Sequence, residues 1–297
     1  MKTPTRRSFV KTGLAGIAAI PLYHMFGCTQ GTAKLPHIGL QMYTVRDEIE
    51  KDIKKTLAKV ADMGLAGVES AFLPEGISIE EAGKLFKEYG LHVFAAHVEL
   101  PVSQASKDEM LRIADAYQCK RMIWHGWPED KRYKTESGTL ELVEIYNEAN
   151  RFARSNGLSF GVHNHWWEYE KQASGQYPFE ILLRELDNEI FFEIDTYWVT
   201  VAGHEAAEII RKFGERAPLI HIKDGPATYS DSLDADDPDP MVPLGKGSVN
   251  IPAIAAAARN SADWMIVELD VVRTDVFEAI KDSYDYMISN QYANSRS

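Results

Sequence analysis

The feature that most restricts this chain is a rhythm: eight short apolar runs, each trailed by a stretch whose apolar residues recur every three to four positions. The runs predict strands near His37–Tyr43, Gly67–Ala71, Leu91–Val98, Arg121–His125, Ser159–His165, Ile190–Asp195, Leu219–Lys223 and Trp264–Asp270. Between them, Lys51–Met63 places Ile53, Leu57, Val60 and Ala61 on one helical face and halts at Gly64, and Ile79–Tyr89 repeats the design and halts at Gly90. Leu140–Ser155 runs to Asn156-Gly157; Phe179–Leu186, Glu205–Phe213, a short Pro252–Ala258 and Val276–Ile288 follow later strands. Eight such units in one stretch predict a closed (β/α)8 TIM barrel, α/β in class. An open doubly wound sheet usually has fewer strands and a glycine-rich phosphate turn after the first, and no G-x-G-x-x-G follows strand one.

No linker or longer internal repeat interrupts the rhythm, so one domain is expected over residues 36–290, with a tail at 291–297. One segment breaks the composition. Tyr229–Pro243 carries five aspartates and three prolines, too long and polar for a routine barrel connection, and reads as a solvated flap over the catalytic mouth. Asp234, Asp236 and Asp237 have the spirit of a calcium loop but lack its turn glycine.

The first residues have another character. Arg6-Arg7-Ser8-Phe9-Val10-Lys11 precedes an uncharged apolar run from Thr12 to Phe26, too short for a bilayer-spanning helix, which resembles a twin-arginine export leader over residues 1–27. Met25-Phe26-Gly27-Cys28 then resembles a lipobox, so Cys28 is expected to be acylated or to sit beside an ordinary cleavage site, with 28–35 as a short linker. The expected location is the periplasm, with membrane attachment only through a lipid on Cys28.

Charge and cysteine content exclude more. With 32 Lys and Arg against 44 Asp and Glu, the net charge is −12, and removing the leader deletes Lys2, Arg6, Arg7 and Lys11 without deleting an acid. Such a surface does not grip nucleic acid. The two cysteines, Cys28 and Cys119, form no disulfide framework, and Cys119 reads as a small core hydrophobe.

Barrel chemistry gathers at the C-terminal strand ends, and the alternation of side chains along a strand says which polar residues share a face. Strand five pairs His163 with His165, strand six Glu193 with Asp195, strand seven His221 with Lys223, and strand eight Glu268 with Asp270. Any one of these alone is more often a salt-bridged or hydrogen-bonded structural group. Four consecutive strands ending this way amid apolar neighbours require neutralisation, and a divalent cation supplies it.

The chain here resembles the xylose-isomerase-like sugar isomerases and epimerases, metal-dependent barrels related to endonuclease IV. The resemblance is carried by Gly39-Leu40-Gln41-Met42-Tyr43-Thr44-Val45-Arg46, Gly67-Val68-Glu69, His163-Asn164-His165 with Glu168, Asp195-Thr196-Tyr197-Trp198, His221-Ile222-Lys223-Asp224, Gly245-Lys246-Gly247 and Val267-Glu268. It implies a dication held by Asp195, His221, Glu268 and a strand-five residue. Many members have Glu where this chain has His163, and His165, one pleat on, is the alternative ligand. Two imidazoles with two carboxylates suit Mn²⁺, Zn²⁺, Co²⁺ or Fe²⁺, with Mn²⁺ favoured by the resemblance.

The implied chemistry is isomerisation or epimerisation of a keto- or aldo-sugar through an enediolate, with Glu268 as base, Glu168 as its partner and Lys223 steadying an oxyanion. Glu69, His97, Glu99, His165 and Trp198 are substrate-shell expectations, and Trp124, Trp127, Trp166 and Trp167 also gather near strand ends. The loss of a strand-five carboxylate keeps open a keto-sugar lyase or hydratase, and a carbohydrate-binding lipoprotein without turnover is the reading of a different class. In every case the partner is a small carbohydrate.

Overall fold

A computed structural model describes residues 34–296 apart from Asp231 and Asp236. The leader, the lipobox at Cys28 and two aspartates of the acidic segment therefore lie outside the described residues. Eight parallel strands close into a barrel in chain order, with β1 paired to both β2 and β8. They are β1 His37–Gln41, β2 Gly67–Ser70, β3 Val93–Val98, β4 Arg121–Trp124, β5 Ser159–His163, β6 Phe191–Asp195, β7 Leu219–Ile222 and β8 Trp264–Val267. The helices are α1 Arg46–Ala61, α2 Ile79–Glu88, α3 Gln104–Tyr117, α4 Glu136–Ser155, α5 Pro178–Glu185, α6 Thr196–Val201, α7 Ala206–Phe213, α8 Ile251–Ala258 and α9 Val276–Ser289.

Local chemistry sets the helix limits. Ser78 caps α2 by accepting from the Glu81 N–H, and Thr135 caps α4 from Gly138. Gly64, Gly90 and Gly157, the stops read from sequence, all hold positive φ. The sequence reading set no bounds for α3. Its start is a capping box between Ser103 and Ser106, but its end is Gln118 at φ 51, without the glycine that marks the other stops. Strands five, seven and eight end earlier than the apolar runs suggested, so His165, Lys223, Glu268 and Asp270 stand on the loops just above the barrel rim.

Inside the barrel the parity of each strand stacks side chains in layers. Phe94, Ala95, Ile123, Phe191, Leu219, Trp264 and Ile266 form an apolar plug of their own, apart from the larger core between strands and helices. Gly161 is required there: a Cβ at this position would lie 2.3 Å from the Phe191 ring. Above the plug, the same strand faces turn polar. Among the described residues no helix is long and apolar enough to cross a membrane.

Candidate metal centre and its cavity

The polar layer directly above the plug is made by Gln41, Glu69, His97, His163, Glu193 and His221, five of them among the buried polar residues. Each is the next inward position along its strand after a plug residue or an inward glycine. Glu69 Oε1 accepts from the Gln41 amide at 2.5 Å and lies 3.1 Å from His97 Nε2 and 2.8 Å from His221 Nε2. Glu193 Oε2 sits among three imidazoles, 2.7 Å from His97, 3.1 Å from His163 and 3.2 Å from His221. Burial raises the Glu69 carboxyl, and Glu193 beside it adds to the rise. Against burial, Glu69 and Glu193 lift His97 to about 9, and Glu193, Glu268 and Glu69 hold His221 well above its ordinary value. Burial and the neighbouring His221 push His163 far below, so it is a neutral imidazole.

One pleat higher stand Asp195, Lys223, Glu268 and Asp270. The Lys223 ammonium lies 2.9 Å from Asp195 Oδ2, 2.7 Å from Glu268 Oε2 and 2.8 Å from both Asp270 oxygens. Glu268 also takes His221 Nδ1 at 2.6 Å. Burial opposes the charge on Lys223, but Asp195, Asp270 and Glu268 hold it firmly protonated; Lys223 and His221 in turn keep Glu268 ionised against its own burial. Asp270, buried and facing Glu268, is raised to about 7. Asp195 divides its work. Oδ1 caps α6 by accepting from the Tyr197 and Trp198 N–H groups at 3.0 and 3.2 Å, while Oδ2 faces the site and receives no well-directed hydrogen bond.

The donor set fits a divalent ion. Ligand atoms of Asp195, His221 and Glu268 lie within 4.8 Å of one another, as do those of His97, His163, Glu193 and His221, and His163 Nε2 is 3.8 Å from Asp195 Oδ2. Buried carboxylate oxygens Glu69 Oε2 and Glu193 Oε1 have no hydrogen-bond partner, while Asp195 Oδ2 has the Lys223 ammonium at 2.9 Å. The carboxylates Glu69, Glu193, Asp195, Glu268 and Asp270 gather here around His97, His221 and Lys223, so an added cation would find oxygen donors already in place. Lys223 stands beside those donors, and Asp270 grips it with both oxygens.

A cavity of about 260 Å³ opens above this layer. Lys223, Glu268 and Asp270 reach it from below, with His97, His125, His163 and His165 around them. Tyr43, Phe72, Trp127 and Trp198 give it aromatic walls, and Ala235 of the acidic segment reaches its rim. His125, buried beside His97, is lowered to about 3. His165 is neutral because burial and Lys223 disfavour its charge; its ring stacks on Trp167 at 4.3 Å, and Nδ1 has no partner.

Most residues expected from sequence meet here: His163, His165, Asp195, His221, Lys223, Glu268, Glu69, His97 and Trp198. Glu168 does not join them. Its carboxylate accepts from the His165 N–H at 2.9 Å and borders a small separate void with Tyr133, Tyr169 and Phe179, where burial raises it to about 8. Glu99 lies at the edge, 3.3 Å from His125. Trp166 and Trp167 are core, and Trp124 faces a neighbouring groove. Gln41, His125 and Phe72 carry no site signal in the sequence reading. Glu193 and Asp270 share a face with Asp195 and Glu268, a parity signal that marks them without assigning a role.

A family model described as xylose isomerase-like TIM barrel matches residues 57–289. Similar solved structures include a sugar phosphate isomerase/epimerase from Parabacteroides distasonis ATCC 8503, 23% identical over 86% of this chain and 99% of that one, TM-score 0.71. The probable 3-DHS dehydratase AsbF from Bacillus anthracis is 13% identical with the same coverage and TM-score 0.68. The IOLI protein with a bound zinc atom is 14% identical over 86% of this chain and 99% of that one, TM-score 0.65. At these identities the likeness is one of fold. No curated protein sequence matches the chain.

Proposed function

The chain belongs to the xylose isomerase-like TIM barrel family, and on that footing we propose that it is a divalent-metal-dependent sugar isomerase or epimerase. The observation that carries the reading is the meeting of Asp195, His221 and Glu268 donor atoms within 4.8 Å, with Glu268 also lining an aromatic-walled cavity. Asp195, His221, Glu268 and His163 would hold the ion, Mn²⁺ by family likeness, with Zn²⁺, Co²⁺ and Fe²⁺ also suited to mixed imidazole and carboxylate donors. When bound, such an ion supplies Lewis-acid polarisation of a carbonyl and its neighbouring hydroxyl.

The chain's own groups do the rest. Lys223 Nζ, held by three carboxylates, keeps a positive charge at the cavity that offsets the charge gained by a substrate oxygen. Glu268, ionised and at the cavity floor, takes the proton from the carbon beside the carbonyl. Protonated Glu268 then returns that proton to the adjacent carbon, while the neutral His165 ring, on the β5 side of the cavity, hydrogen-bonds a substrate hydroxyl. Glu168, outside the cavity, supports this role by fixing the His165 backbone rather than by exchanging protons with substrate. Trp127, Trp198 and Tyr43 line the sugar and exclude water.

One observation favours a second reading, β-elimination from a keto-sugar: imidazoles, not a second carboxylate, face Glu268 across the cavity. The arginine-pair leader supports placing the protein outside the cytoplasm, with Cys28 as its anchor when acylated.

The test is solvent deuterium incorporation into keto- and aldo-sugars by Mn²⁺-loaded and chelated protein. Exchange that needs the metal and vanishes in Glu268→Gln, with the fold retained, is expected. Exchange unaffected by that substitution removes Glu268 from its role. Sugar binding with no exchange makes the chain a binding protein, and an ultraviolet-absorbing enone product favours elimination.

A further inference from the structure

Resting on that proposed reading, we infer that the substrate is an uncharged, unphosphorylated sugar. A TIM barrel commonly seats phosphate on backbone N–H groups of the loop after its seventh strand, ahead of a short helix. This chain has such a loop, and its own Asp224 fills it. Oδ2 accepts from the Gly245 and Gly247 N–H groups at 2.8 and 2.9 Å, and Oδ1 from Gly225 and Val249 at 2.9 and 3.1 Å. Asp224 is fully buried, and the fit is so close that a Cβ on Gly247 would lie 2.2 Å from its carboxylate. The next short helix, α8, has its first turn capped from within by Asn250.

The cations at the cavity are equally committed: His97 is held between Glu69 and Glu193 at 3.1 and 2.7 Å. Lys223 is the one Lys or Arg among the described residues lining it, and three carboxylates surround it. Arg46, behind Tyr43, donates to the Tyr43 and Asp270 carbonyls and stacks on the Tyr43 ring at 4.0 Å. A phosphate ester entering this cavity would meet Glu268 and Asp270 without a free donor cluster to offset them. The aromatic walls instead suit the C–H faces of a neutral ring. Phe72, 56% exposed and set edge-on to His125 at 5.1 Å, extends that platform outward.

Calorimetric titration of the full metal-loaded chain with matched pairs, ketohexoses and methyl glycosides against their 6-phosphates, tests this. The esters are expected to bind about a hundredfold more weakly or worse, and inorganic phosphate is expected to leave the melting temperature unchanged. In Asp224→Ala, whose four N–H donors are vacated, inorganic phosphate is expected to raise the melting temperature. Esters binding as well as their parent sugars, or phosphate stabilising the wild type, overturns the inference and leaves the isomerase reading intact. Preference for neutral sugars without deuterium exchange upholds the inference and overturns the isomerase reading.

Discussion

Replacing Lys223 with Met removes a positive charge that three buried carboxylates share at 2.7 to 2.9 Å. Withdrawing one partner from a buried ion pair costs about 3–5 kcal/mol, because the remaining charge stays uncompensated. Asp270, already raised to about 7, takes up a proton in the variant and relieves part of this. The loss is therefore expected near 3 kcal/mol at pH 6 and nearer 5 at pH 8. In urea unfolding followed by circular dichroism, with a slope of about 3 kcal/mol/M, the midpoint falls by about 1 to 1.7 M. A divalent ion then takes the vacated space. Mn²⁺ at a hundred times its dissociation constant restores about 2.7 kcal/mol, and it binds the variant more tightly than the wild type, where Lys223 must share Asp195 and Glu268. A variant as stable as the wild type without metal, or equal metal affinity in the two, refutes the idea that the ammonium and the ion draw on the same carboxylates.

Glu168 gives a pH signature. Burial raises its carboxyl to about 8 from 4.5, so the folded chain binds that proton more tightly than the unfolded one. Its contribution is fullest below the unfolded value and is lost as pH climbs through about 8. Glu168→Gln should match the wild type at pH 4 and exceed it by several kcal/mol at pH 9; parallel urea midpoints across that range would exclude the assignment. Cys119, buried and pushed up to about 12, should escape alkylation in the native chain at pH 8 and label only on unfolding, as peptide mapping would show.

The barrel was readable because its strands are apolar runs bounded by glycine-stopped helices, and the site because parity along β5 to β8 puts alternate residues on one face. Where those two regularities stop, legibility stops with them. The α3 helix ends on Gln118, an ordinary residue in a left-handed conformation, and so left no mark. Glu168 lies beyond the end of β5, where alternation no longer dictates direction, and it turns behind the strand. The grip of Lys223 on Asp270 joins positions 47 apart in the chain, and the Asp224 carboxylate closes on a loop more than twenty residues later. Neither pairing has a local signal. His163, Asp195 and His221 did, because each is an inward position of its own strand, and His165, Lys223 and Glu268 continue the same alternation one or two residues past the strand end.

Asp195 has two oxygens and two employers. The one that starts α6 holds Tyr197 in place through its N–H, and the Tyr197 hydroxyl accepts from Ala227 N at 3.2 Å, at the root of the acidic segment whose Ala235 touches the cavity rim. The other oxygen thus lies two hydrogen bonds away from that segment: carboxylate to helix start, phenol to loop. The carboxylate that would seat an ion and the segment at the cavity rim are joined by one short run of contacts.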